Sequence, residues 1–184
     1  GDNTIFQRQW HEVASNSDAI NSPQPDEKKW FPCHSGGAYR KWYGNHEIVV
    51  NWADNGREVR CFGADEGRIR SAVRNETFYF KPGVTWSKIS SGRFDARLRP
   101  SGFLFDDTGR SGFAASRDVE KACLGMFCST VANEFLTVLC PSMIFTSTEL
   151  GMLPFDMQAA RPCLDGVERL INIAKSDWDA YETS

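Results

Sequence analysis

The chain has 184 residues, 41% of them apolar and 24% charged, with a formal net charge of −3. This is the make-up of a folded domain rather than of a disordered or low-complexity tract. No run of about 18 residues is both apolar and free of charge, which excludes a membrane-spanning helix, and no basic start followed by an apolar run suggests a secretion signal.

The charge is unevenly spread. Residues 28–117 carry 16 Lys/Arg against 9 Asp/Glu, a balance of +7, whereas the remainder carries −10. A basic middle between acidic ends is an electrostatic footprint suited to a polyanion. The six cysteines contain no CxxC pair and read as buried, reduced thiols of a cytoplasmic protein. The three histidines do not add the spacing of a metal site.

In chain order, residues 1–29 are polar, and Pro23 and Pro25 with scattered Ser and Asn predict an N-terminal loop or linker. Residues 30–160 predict an α+β domain. EIVVNW (47–52) and REVRCF (57–62), separated by Ala53-Asp54-Asn55-Gly56, predict a hairpin. TFYF (77–80), VTWS (84–87), FDARLR (94–99) and GFLFD (102–106) predict further strands, so the sheet is expected to be twisted and mixed or antiparallel. In a strand, Arg93, Arg97 and Arg99 would share one face. After Ser116 the apolar step changes to three and four residues. Val119, Ala122, Cys123, Met126, Phe127, Val131, Phe135, Val138 and Leu139 predict one long packing helix over about 117–140, capped by Ser116 and stopped by Pro141. Residues 161–184 predict a C-terminal helix, from Leu164 to Trp178, pointing away from the sheet toward a further segment.

No catalytic constellation is visible. GxGxxG after a strand, the phosphate-binding GxxxxGK[ST] and the GxSxG elbow are all missing. Glu27-Lys28-Lys29 lies in a polar loop, Asp106-Asp107 reads as a turn former, and Cys33 and His34 would point to opposite sides of an extended chain. Instead, basic, polar and glycine-rich segments stand out. CHSGGAYRKWYGNH (33–46), GRIRSAVRN (67–75) and SKISSGRFDARLR (87–99) interleave Arg, Lys, Ser and Asn, the residue types that hold phosphates and read base edges. Arg40, Lys41, Asn45, Lys88, Ser90, Ser91, Arg93, Arg97 and Arg110 are the candidate DNA-contacting residues. The competing expectation is that arginines pair with Asp95, Glu76 or Glu66 and knit the surface. Val84, Trp86, Ile89, Phe103 and Phe105 are expected in the core.

Four segments taken in order, FPCHSGGAYRKWYGNHEIVVNW, FYFKPGVTWSKISSGRFDARLRPSGFLFDDTGRS, EFLTVLCPSMIFTSTELGMLPF and SDWDAYETS, resemble the PglX-type adenine-specific DNA methyltransferases of BREX phage-defence systems. The resemblance runs from about Trp30 to Ser184. It implies a parent enzyme with a catalytic half, which uses S-adenosylmethionine and an Asn-Pro-Pro-Tyr motif to grip a flipped adenine, and a target-recognition half. This chain has no Pro-Pro at all. The resemblance therefore implies part of the target-recognition half, with double-stranded DNA as its partner and no cofactor of its own. The alternative is a protein-interaction module that docks the methyltransferase to other defence-system subunits, supported by the acidic outer segments and by Trp10, Trp178 and Tyr181, which read as exposed.

Overall fold

A computed structural model describes residues 2–14, 28–90 and 92–181. Pro23, Pro25 and Ser91 lie outside the described residues. The fold is α+β, built on two sheets. Helix α1 (Asn3–Phe6) leads into β1 (Gln7–Gln9), so the polar start of the chain contributes a strand as well as loop. Strands β2 (Trp30–His34), β3 (Ile48–Asn51) and β6 (Leu104–Phe105) join β1 in the order β1-β3-β2-β6. In this sheet β2 and β6 run parallel and the other pairs antiparallel. The second sheet, β5 (Ala96–Arg99), β4 (Gly83–Ser87) and β7 (Gly109–Gly112), has β4 at its centre and is antiparallel.

The expected hairpin at Asn55-Gly56 does not form. Strand β3 is already paired on both edges, by β1 and β2, so residues 57–62 have no free edge to join. Element α2 (Ala53–Arg60) takes the hairpin's place: it opens on a left-handed turn at Asp54, Asn55 and Gly56, all at positive φ, and continues as right-handed helix after it. Gly56 is required here, because a Cβ would stand 2.6 Å from the Trp52 ring at φ +72°. Residues 77–80 are not a strand either. Glu76–Phe78 is a 3-10 turn, and its aromatics act as anchors. Phe78 stacks on Phe113 at 4.7 Å, Tyr79 meets Trp52 and Phe105 at 5.3 Å, and Phe80 meets Phe31 at 5.7 Å.

The long helix is two helices, α3 (Arg117–Phe127) and α4 (Thr130–Leu139), bent by 67°. Ser116 caps α3, accepting from the Val119 amide. Ser129 breaks the run: its hydroxyl accepts from the Ala132 amide (3.0 Å) and donates to the Met126 carbonyl (2.7 Å). Leu124, Cys128, Ala132 and Leu136 enter one core with Val84, Trp86, Phe94, Ala96 and Leu98, but the expected packing face does not carry across the bend: Val131, Phe135 and Val138 are exposed. No single helix among the described residues is long and apolar enough to cross a membrane.

Helices α5 (Ser147–Leu150) and α6 (Met157–Ala160) lead to α7 (Leu164–Trp178). Helix α7 does not point away. Val167 and Ile171 join the same core and Trp178 is buried, whereas Leu170 is exposed. Strand β6 passes to β7 through Asp106, whose carboxylate accepts the amides of Thr108 (2.8 Å) and Gly109 (2.9 Å). That turn joins the two sheets. Gly109 sits so close to the His34 carbonyl that a side chain there would collide with backbone.

Candidate nucleic-acid interface

Three loops meet at the junction of the sheets: residues 35–47 after β2, residues 88–95 after β4, and residues 106–108 between β6 and β7. The Lys88 amide donates to the Thr108 carbonyl (2.9 Å), and the Ser87 hydroxyl donates to the Gly37 carbonyl (3.3 Å). Residues 37–39 face Ile89, Ser90, Gly92 and Arg93 across a cleft of about 490 Å³. On the far side of Arg93 a cleft of about 300 Å³ is lined by Lys41, Asn133 and Glu134. A third, of about 440 Å³, holds Arg74, Asn75 and Arg110.

Strand alternation explains how the first loop is held. On β4 and β5, Val84, Trp86, Ala96 and Leu98 face the apolar core. Thr85, Ser87, Arg97 and Arg99 face the other way. Arg97 is only 1% exposed. Its guanidinium donates to Asp95 (2.9 Å), to the Ser87 hydroxyl (3.1 Å) and to the Arg40 carbonyl (3.3 Å). Asp95 also accepts the Arg40 amide. Burial pushes the Asp95 carboxyl above its usual value, against the pull of Arg97 and of that amide. The Trp42 amide donates to the Ala96 carbonyl (2.9 Å) and the Leu98 amide to the Trp42 carbonyl (2.8 Å), which adds the loop to the edge of β5.

Arg97 is thus sealed beneath the surface and cannot touch a duplex. It wires loop 35–47 to the sheet. The same correction applies to Asn45, which is buried at φ +60° and whose amide donates to the carbonyls of Ala38 (2.8 Å) and Gly36 (3.4 Å). Arg99 is also fully buried. It donates to the Phe103 carbonyl and lies 4.9 Å from the Phe105 ring and 5.2 Å from the Phe113 ring. Burial lowers it to about 10, so it remains charged at neutral pH. Arg93 lies outside β5, so the three arginines do not share a strand face.

The remaining candidates among the described residues lie at or near the surface. Arg40 is held by helix α7: it pairs with Asp177 (3.1 Å) and stacks 5.0 Å over Trp178. Lys41 donates to the Cys128 carbonyl at the end of α3 (2.7 Å). Lys88 and Arg110 share Asp107 as their counterion, the latter at 2.8 Å. The Ser90 hydroxyl donates to the Arg93 carbonyl (3.1 Å). Arg93 is exposed and has no ion pair among the described residues. The surface-knitting expectation holds for Arg60 with Glu76 and Arg70 with Glu66, whereas Arg97 pairs with Asp95 in the interior.

Asp106-Asp107 is a turn and ion-pair element, and no cluster of three or more potential metal ligands occurs among the described residues. Tyr39, Arg74 and Asn75 lie in segments that the sequence singles out, but they are not among the candidate residues, because nothing local marks them as facing a cleft. Ile89 and Trp178 exchange their expected places, Ile89 being exposed and Trp178 buried.

His34 and His46 lie behind the loop with ring centres 5.1 Å apart, both against Phe103. Burial, with nearby positive charge, holds His34 well below its usual value and His46 at about 3. Both are neutral at physiological pH.

No protein-family profile matches the chain. Over 188 aligned positions covering the whole chain, it is 39% identical to the adenine-specific methyltransferase PglX of Lacticaseibacillus casei (strain Zhang). Over 186 positions covering 98% of the chain, it is 34% identical to the adenine-specific methyltransferase BrxX of Escherichia coli O9:H4 (strain HS). The chain spans 16% and 14% of the lengths of these two relatives. Along essentially its whole length, it is thus homologous to one segment of the PglX- and BrxX-type adenine-specific methyltransferases.

Proposed function

We propose that the chain is a double-stranded-DNA target-recognition segment of a PglX-type adenine-specific methyltransferase. The observation that carries this reading is the braced loop junction, where Lys41, Ser90 and Arg93 line adjoining clefts. Phosphate contacts from such cations fix a protein on a duplex, and neighbouring polar groups supply base contacts. Bracing from below by Arg97 and Asp95 lowers the ordering cost on binding. The six unpaired cysteines suit the reducing cytoplasm in which such an enzyme would meet DNA.

Methyl transfer would belong to other parts of the parent protein. The residues here do not fit S-adenosylmethionine: the glycine-rich loop after β2 returns antiparallel into β3 instead of opening a helix that could hold a nucleotide-like ligand.

The test is duplex binding across a salt series. A plot of log affinity against log salt should be linear, and replacing Lys41 and Arg93 together by Ala should flatten its slope by about 0.9 for each phosphate no longer neutralised. Binding that ignores salt, or a slope untouched in the double variant, would refute the reading.

A second reading has one observation of its own. Val131, Phe135 and Val138 form an exposed apolar stripe on α4, with Val138 79% exposed. The stripe supports docking to another protein surface, such as a defence-system subunit. Co-purification of that subunit, abolished by Val138→Asp while DNA binding persists, would establish it as a separate function of the same chain.

A further inference from the structure

Ile89 is 65% exposed, yet its backbone is pinned on both sides. The Lys88 amide donates to the Thr108 carbonyl (2.9 Å), the Phe145 amide to the Lys88 carbonyl (2.8 Å), and the Ser90 amide to the Met143 carbonyl (3.3 Å). Ile89 itself forms an antiparallel bridge with Ile144. A β-branched side chain on a fixed backbone has little rotational freedom left. This one stands at the wall of the 490 Å³ cleft, with Tyr39 opposite and Ser90 and Arg93 beside it.

Scattered exposed isoleucines are ordinary on protein surfaces. A rigid one, set between a hydroxyl, a phenol and an exposed guanidinium, presents a small apolar contact within a polar, cationic surface. The major groove of DNA offers a matching target, because the C5-methyl of thymine is the one apolar group on its base edges.

Resting on the DNA reading above, we propose that Ile89 is a specificity-determining residue that packs on a thymine C5-methyl in the major groove, while Arg93 holds the adjoining backbone phosphate. The bridge partner Ile144 and its neighbour Met143 are exposed as well.

The experiment selects preferred duplexes from a randomised pool with the full chain. It then compares each preferred duplex with versions in which single thymines are replaced by uracil, which removes only the methyl. At least one position should bind about fourfold more weakly, the equivalent of one buried methylene-sized group. Ile89→Ser should bind thymine and uracil versions equally, Ile89→Val should keep most of the difference, and Val138→Ser should keep all of it.

A preferred sequence with no uracil-sensitive position, or a sensitivity that survives Ile89→Ser, overturns the role of Ile89 and leaves DNA recognition standing. Disappearance of the sensitivity in Val138→Ser overturns it as well. If no duplex is retained at any salt, both readings fall. Circular dichroism of each variant separates weakened recognition from unfolding.

Discussion

The two faces of β5 do different work with the same backbone. Ala96 and Leu98 face a dry core shared with α3, α4 and α7. Arg97 and Arg99, one residue out of phase, are equally buried but face carbonyls, a carboxylate and aromatic rings. The apolar face responds to volume. The polar face responds to pairing, and through Arg97 it is tied to loop 35–47. Burial therefore does not by itself separate structural residues from those that shape a binding surface.

The sharpest way to break this comparison is to truncate one residue on each face. Arg97→Ala strands Asp95 in the interior and is expected to cost about 3–5 kcal/mol in urea unfolding. Leu98→Ala is expected to cost about 2–5 kcal/mol. The double replacement Asp95→Leu with Arg97→Met should recover most of the deficit, since a buried pair exchanged for apolar groups of similar size is often neutral. Only the polar-face variants should speed hydrogen exchange at the Arg40 amide, whose acceptor is Asp95. Protection of that amide in all variants would mean that the loop is held from elsewhere.

A smaller effect comes from the histidines behind the same loop. His34 and His46 stay neutral in the folded chain because their values are held down, whereas in the unfolded chain each binds a proton near its ordinary value of about 6.5. Between that pH and about 3 the unfolded state holds more protons, so stability is fully present above about pH 6.5 and falls as the pH drops below it. The limiting slope is about 1.4 kcal/mol per pH unit for each group. His46→Gln should halve the slope, read from urea midpoints across the acid range. The smallest effect concerns the joint between α3 and α4: Ser129→Ala should cost about 1 kcal/mol, the usual value of an N-cap, and should leave the Arg40 amide protected.

Much of the framework was legible because alternation and helical period are local signals. Val84 and Trp86 lie in the core as expected, and Ala96 and Leu98 face opposite to Arg97 and Arg99 as alternation requires. What misled was information held by distant neighbours. Asn55-Gly56 is a strong hairpin signal only if the preceding strand has a free edge, and β1 had taken it. The period through 117–140 revealed neither the break at Ser129 nor its effect: past the bend Ala132 and Leu136 enter the core, while Val131, Phe135 and Val138, which the period placed inward, are exposed. The pairing of Arg97 and Arg99 on one face was readable, but whether that face met solvent depended on loop 35–47 and the aromatic side chains closing over it. For the candidate site, sequence marked the basic loops and not their depth. It pointed to Lys41, Ser90 and Arg93, which line the clefts, and it also included Arg97 and Asn45, which brace the loop from within.

Strand β1 has only three residues, Gln7–Gln9, yet it occupies the edge of β3 that would otherwise run open along Ile48, Val49 and Val50. An uncovered β-branched edge of that kind invites pairing with a second molecule. Trimming the amino terminus would therefore be felt first as self-association in storage, well before any change in what the loops can bind.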